Sequence, residues 1–178
     1  MKYKKGLVVA LLFMLLVATV GLSGCGKDEE KLPTLNEVKT VMENHGFVET
    51  AVDPDFTGPE LLETIRYKYG DAITYSLSIY KEQSATKDLM DTFKENKESY
   101  LLKKFGENSK VEQTVLKDDK DDEFQFYAKR WGNDAYILVR NKNTFVVIDI
   151  TANNDKEFAE CVKRINDVRA DLGIKGEL

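Results

Sequence analysis

The stretch from Lys110 to Thr151 holds four segments of alternating apolar and polar residues, separated by very short breaks. The segments are Lys110–Lys117, Glu123–Arg130, Ala135–Arg140 and Thr144–Thr151, and the breaks read "DDKDD", "WGND" and "NKN". A parallel crossover needs a dozen or more residues, so strands joined this closely pair antiparallel, as a meander. Upstream, "ELLETIRYKY" and "AITYSLSIY" flank Gly70-Asp71, the pattern of a further hairpin.

Three helical segments frame these strands. Thr34 stands three residues before Glu37, the spacing of a capping box. Leu35, Val38, Met42 and His45 follow on one face, and Gly46 is placed to stop the helix. Ser84 to Phe105 reads as a long helix with Ser84 as N-cap and Gly106 after its end. The chain closes on a helix capped by Asn154 or Asp155, with Phe158, Cys161, Val162, Ile165, Val168 and Leu172 on its apolar face.

The expected fold is therefore α+β: a predominantly antiparallel sheet of about six strands, element order α-β-β-α-β-β-β-β-α, with the helices packed on one face. The alternation predicts one dry and one wet face. Ile73, Tyr75, Leu77, Ile79, Phe124, Phe126, Ile137, Val139, Val146, Ile148 and Ile150 are assigned to the dry face. Ser76, Ser78, Gln125, Tyr127, Tyr136, Arg140 and Asp149 are assigned to the wet one.

The first 31 residues are of another kind. Met1–Lys5 is short and basic; Leu7–Val20 is apolar apart from Thr19. At 14 residues this run is short for a membrane span, which needs about 20. Basic head, apolar body and small-residue exit make a secretory signal. The exit, Leu22-Ser23-Gly24-Cys25, resembles the lipobox of bacterial lipoproteins. That resemblance implies cleavage between Gly24 and Cys25 and a diacylglyceryl thioether on the Cys25 thiol. Two acyl chains anchor a protein durably where one does not. Residues 1–24 are then a removed signal peptide, 25–32 a lipidated cysteine with a polar tether, and 33–178 a single domain. The tether "GKDEEK" spans at most about 25 Å to Leu32 at ~3.3–3.6 Å per residue.

The run "TYSLSIYKEQSATKDLMDTFKENKES", with "VKTVMENHGF" upstream, resembles small uncharacterised lipoproteins of Clostridia and related Firmicutes in layout and composition. The likeness implies class and location, and brings no activity or site residues with it.

Charge narrows the partners. The chain carries −5, and loss of Lys2, Lys4 and Lys5 with the signal takes the remainder to −8. Nucleic acid selects a basic surface, so a nucleic-acid partner is not expected. No cofactor is expected beyond the lipid on Cys25, and no metal. "DDKDDE" (Asp118–Glu123) has Glu123 where a helix–loop–helix calcium site needs glycine, and Lys129 where it needs a bidentate glutamate. His45, the one histidine, reads as a helix-end residue, and Cys161 as a buried thiol.

The candidate contact residues cluster around one turn. Trp131, with Lys129 and Arg130 beside it, sits at the tip of a hairpin, and an amphipathic indole there suits a partner or the lipid interface. Tyr127 and Tyr136 on the expected wet face are the second such surface. The favoured expectation is a lipid-anchored, non-enzymatic binding or accessory protein on the outer face of the cytoplasmic membrane. Its partner would be another envelope protein, a cell-wall component or a small ligand. A carboxylate-based envelope hydrolase and a structural envelope protein without a small ligand are the alternatives.

Overall fold

The computed structural model describes residues 33–52, 60–107, 110–119, 123–130, 133–174 and 178. Within Pro33–Leu178, which forms one compact unit, the elements are α1 (Leu35–Asn44), β1 (Val48–Thr50), β2 (Leu61–Tyr69), β3 (Ile73–Tyr80), α2 (Gln83–Phe105), β4 (Val111–Asp119), β5 (Glu123–Arg130), β6 (Asp134–Asn141), β7 (Thr144–Thr151) and α3 (Asp155–Asp171). All seven strands form one sheet in the order β1-β2-β3-β7-β6-β5-β4, and every neighbouring pair is antiparallel.

The helix ends follow local chemistry. Thr34 Oγ1 accepts from the Glu37 amide at 3.3 Å, and Glu37 Oε2 accepts from the Thr34 amide at 2.7 Å, closing the expected capping box. At the other end the Phe47 amide donates to Met42 O and the Gly46 amide to Glu43 O. This paired closure requires the positive φ (78°) that Gly46 adopts. α3 ends the same way, with Ile174 and Gly173 donating to Arg169 and Ala170. Its N-cap is Asn154, whose Oδ1 accepts from Glu157 N at 3.0 Å. Helix α2 starts one residue before Ser84, and its N-cap Glu82 makes no side-chain cap bond.

Two expectations are corrected. The sheet has a seventh strand, β1, whose three residues pair with β2 from Val48↔Lys68 to Thr50↔Arg66. More consequentially, both faces of the sheet are covered. α1 and α3 pack over Tyr67, Ile73, Tyr75, Leu77, Ile137, Val139, Val146, Ile148 and Ile150. α2 packs its Met90, Phe93, Leu101 and Phe105 against Tyr80, Phe124, Phe126, Ala128, Tyr136, Leu138, Phe145 and Val147 on the opposite face.

The pairings locate the error. Phe126 lies opposite Leu138, and Leu138 opposite Val147, so both β5 phenylalanines belong to the α2 face. Tyr127 lies opposite Ile137 and Ile137 opposite Ile148, which puts Gln125 and Tyr127 on the α1/α3 face. Ser76, Ser78 and Arg140 share a face as expected, but it is dry: Ser76 is 4% exposed, Ser78 6% and Arg140 2%.

Polar bonds satisfy that dry face. Thr64 and Ser78 hydroxyls lie 3.1 Å apart, and Arg66 Nε donates to Ser76 Oγ at 3.1 Å. Arg140 Nε donates to Thr86 Oγ1 at 3.2 Å, and that hydroxyl also meets Gln83 O and Lys142 O. The first turn of α2 is thereby tied to the β6–β7 turn. Asn143 fastens the same turn to β3, its Nδ2 donating to Tyr80 O and its carbonyl accepting from Tyr80 N.

Truncating either face opens a cavity in a packed core. Phe126→Ala is expected to cost about 3–5 kcal/mol, and Ile137→Ala about 2–5 kcal/mol, in urea unfolding. A wet face at Phe126 would instead give a loss of roughly 0.5 kcal/mol or less.

Candidate functional site

α3 crosses the α1/α3 face and leaves its β5–β4 end partly uncovered. Phe158, Val162, Ile165 and Arg169 recur at helical spacing and follow β5 from Lys129 toward Glu123. Lys129 Nζ sits 4.5 Å over the Phe158 ring centroid. Arg169 Nη2 donates to Gln125 Oε1 at 2.9 Å. Between these two contacts lies an open cleft of about 600 Å³ lined by Tyr127, Phe158, Ala159, Val162, Lys163, Asn166, Asp167 and Leu178.

The lining is amphipathic. Tyr127, Phe158, Val162 and Leu178 make an apolar wall, and Asn166 fixes Leu178 by accepting its amide at 3.1 Å. Lys163 Nζ donates to Asp167 Oδ2 at 2.8 Å. That bond, with Lys163, His45 and Arg164 charges nearby, holds the Asp167 carboxyl below the usual range. Asp167 is the one side-chain carboxyl among the lining residues. Its shift is opposite to the raised pKa that a general acid needs. Burial, with Glu112 nearby, pushes the Tyr127 phenol up.

Beneath one end of the cleft runs a buried polar chain. Arg169 (3% exposed) donates to Gln125, Gln125 Nε2 donates to Glu123 Oε1 at 2.5 Å, and Glu123 pairs with Lys117 on β4. Tyr75 lies near Arg169, and desolvation drives its hydroxyl pKa well up. At the far end of α3, His45 Nε2 meets Asp171 Oδ2 at 2.8 Å. Arg164 donates to His45 O at 2.7 Å while stacking 3.8 Å from the Tyr69 ring centroid. These bonds clamp α3 against α1 and β2.

The residues singled out from sequence separate in space. Tyr127 lies in the cleft and Lys129 at its rim. Arg130 points to the other face, donating to Phe105 O at 3.2 Å and pairing with Asp134. Tyr136 is fully buried beneath α2 among Phe93 and Tyr100, with Lys104 Nζ 4.9 Å from its ring centroid. It offers no surface to a partner in this conformation. Trp131, Gly24 and Cys25 lie outside the described residues.

Sequence reasoning missed the α3 half of the cleft. Phe158 and Val162 were grouped with the core from their spacing, yet Val162 is only half-buried and Asn166 stands one turn further along the same stripe. That polar residue within an apolar stripe was the available signal. Cys161 is buried, and burial pushes its thiol pKa up. Among the described residues no group of three or more His, Cys, Asp or Glu side chains is placed to hold a metal ion. None of the described helices is long and apolar enough to cross a membrane.

No family model matches the chain, and no curated protein matches it. Among solved structures it is similar to a crystal structure described as a GTP-binding regulator from Thermotoga maritima. The identity is 16%, the TM-score 0.40, and the match covers 80% of this chain and 90% of that one. At that score the likeness carries no argument about function.

Gln125 is the hinge of the buried chain, since Arg169 and Glu123 both bond to it. Gln125→Leu is expected to cost about 1.5–3 kcal/mol in chemical denaturation, the worth of a hydrogen bond to a charged group. Pairing it with Arg169→Met should cost less than the two single changes summed, since the buried charge leaves with its acceptor.

Proposed function

We propose that the chain is a lipid-anchored bacterial lipoprotein, held on the outer face of the cytoplasmic membrane. It acts there as a non-enzymatic binding or accessory domain. One observation carries the reading: a basic head, a 14-residue apolar body and Leu22-Ser23-Gly24-Cys25 follow in the order and spacing that lipidation requires. The partner is an envelope protein or a cell-wall component.

The cleft between α3 and β5 supports binding over catalysis. An apolar wall beside Asn166 and the Lys163–Asp167 pair suits a segment that presents an apolar side chain next to polar groups. Anchoring confines the domain near membrane partners and raises their effective concentration, so a weak contact suffices.

Cys25→Ser is expected to abolish acyl labelling and the cleavage between Gly24 and Cys25. A chain that stays acylated after this change sinks the reading. For the cleft, Ala159→Trp fills the space from an exposed helix position. It is expected to weaken co-purification of the partner from intact cells at least about tenfold, with the unfolding midpoint unchanged. Undiminished recovery would move the binding surface away from the cleft.

A further inference from the structure

The two edges of the sheet differ. β1 offers three residues, whereas β4 offers nine, and from Glu112 to Asp119 every residue is exposed. β4 ends the strand order, so its outer edge has no strand partner among the described residues. Val115 is 52% exposed and Leu116 38%. Long open edges are normally blunted by charge or by a bulge, and β4 has both. Its register against β5 slips between Val115 and Lys117, leaving Leu116 as an extra residue.

We infer that this edge pairs with the β4 edge of a second copy of the chain, antiparallel, about a two-fold axis at Thr114. The charges select both the partner and the register. Thr114 faces its own counterpart, and Gln113 faces the Val115–Leu116 bulge, two residues against one. Beyond the bulge the count shifts by one. Glu112 then meets the other copy's Lys117, Val111 meets its Asp118, and Lys110 meets its Asp119. The two-fold repeats each pairing, giving four opposite-charge pairs and no like-charge pair.

Side-chain direction agrees. In the β4–β5 register, Glu112 and Thr114 share a face with Lys129 and Tyr127, and Lys117 and Asp119 share that same face with Gln125 and Glu123. Without the bulge, Glu112 and Lys117 would point to opposite faces, because side chains alternate with period two. The bulge therefore aligns the edge with its own reverse. Moving the axis one residue toward the N-terminus, to Gln113, sets Lys110 against Lys117. Moving it toward the C-terminus, to Val115, brings Glu112 against Asp119. Like charges directly opposite are unfavourable in both cases. Lys117 already holds Glu123 on its own chain, and its ammonium has three donors, enough for a second carboxylate. A single strand pair is a small interface and forms a transient dimer.

The test uses the full chain in detergent micelles, followed by sedimentation velocity from about 10 μM to about 1 mM, the span of weak dissociation constants. Lys110 is exposed and so is Asp119, so charge changes there spare the fold. Lys110→Glu alone and Asp119→Lys alone are each expected to weaken dimerisation about tenfold, and the double variant to restore it. Carbodiimide coupling of a mixture of isotope-labelled and unlabelled chains is expected to yield Glu112–Lys117 links between chains. A monomer throughout, a dimer equally strong in both single variants, or links found only within one chain would each overturn the proposal. None of these outcomes depends on whether Cys25 is lipidated.

Discussion

The structure depends on an antiparallel sheet buried on both faces. β7 shows the requirement most directly. Phe145 and Val147 pack under α2, while Val146, Ile148 and Ile150 pack under α1 and α3. Antiparallel sheets commonly leave one face to water. Here no alternation of water and core is available to the central strands, so helices have to cover each side. The placement of those helices is fixed by two buried arginines. Arg140 rises from the sheet to Thr86 in the first turn of α2, and Arg169 descends from the last turns of α3 to Gln125. A buried charge is tolerated only when its hydrogen bonds are met, and breaking one partner is costly. Each arginine therefore holds its helix at one height on the sheet, where apolar packing alone would allow sliding.

Coverage is uneven, and the unevenness creates the surfaces on which function can rest. α1 and α3 lie together, clamped by His45–Asp171 and by Arg164 against Tyr69. Drawn toward α1, α3 leaves the α1/α3 face of β5 and β4 only partly roofed. The cleft at Tyr127 opens in that gap, and β4 keeps eight exposed residues in a row, while on the opposite face Lys94 and Glu98 of α2 reach its Asp118 and Gln113. The buried chain from Arg169 through Gln125 and Glu123 to Lys117 links the two, since it starts under α3 and ends on β4. The same bonds that seat α3 also stiffen the edge strand.

Much of this was legible in the sequence, for identifiable reasons. Thr34 with Glu37, Gly46 and Asn154 act within a few residues of chain, so local chemistry decides them. The meander was legible because its breaks are too short for any other pairing. The facing of β5 was not. "EFQFYAKR" alternates Phe124 and Phe126 with Gln125 and Tyr127, and a one-faced sheet would put the phenylalanines with Ile73 and Ile137. The register reverses that assignment, because Gln125 is wanted on the other side by Arg169, a residue 44 positions away. Ser76 and Ser78 misled for a related reason: hydroxyls look wet in sequence, yet Arg66 and Thr64 satisfy them in a covered layer. β1 is too short to give a period, and the cleft depends on where α3 lies, which no local pattern encodes.

The β4 bulge sharpens a general tension in open sheets. An edge that pairs with any strand aggregates, and an edge that pairs with none is closed to regulation. Charges at Lys110, Glu112, Lys117, Asp118 and Asp119 repel strands of unmatched pattern, and the extra residue at Leu116 breaks the even spacing that a generic strand requires. Both obstacles vanish for one partner, since a second β4 brings the same bulge and the same charges in reverse order. Selectivity of this kind rests on the mismatch penalties of wrong partners more than on the strength of the right one. A weak contact with high discrimination suits a domain tethered in a plane, as the proposed lipid anchor would tether this one. There, confinement supplies the concentration that the small interface lacks, and discrimination keeps crowded neighbours from pairing at random.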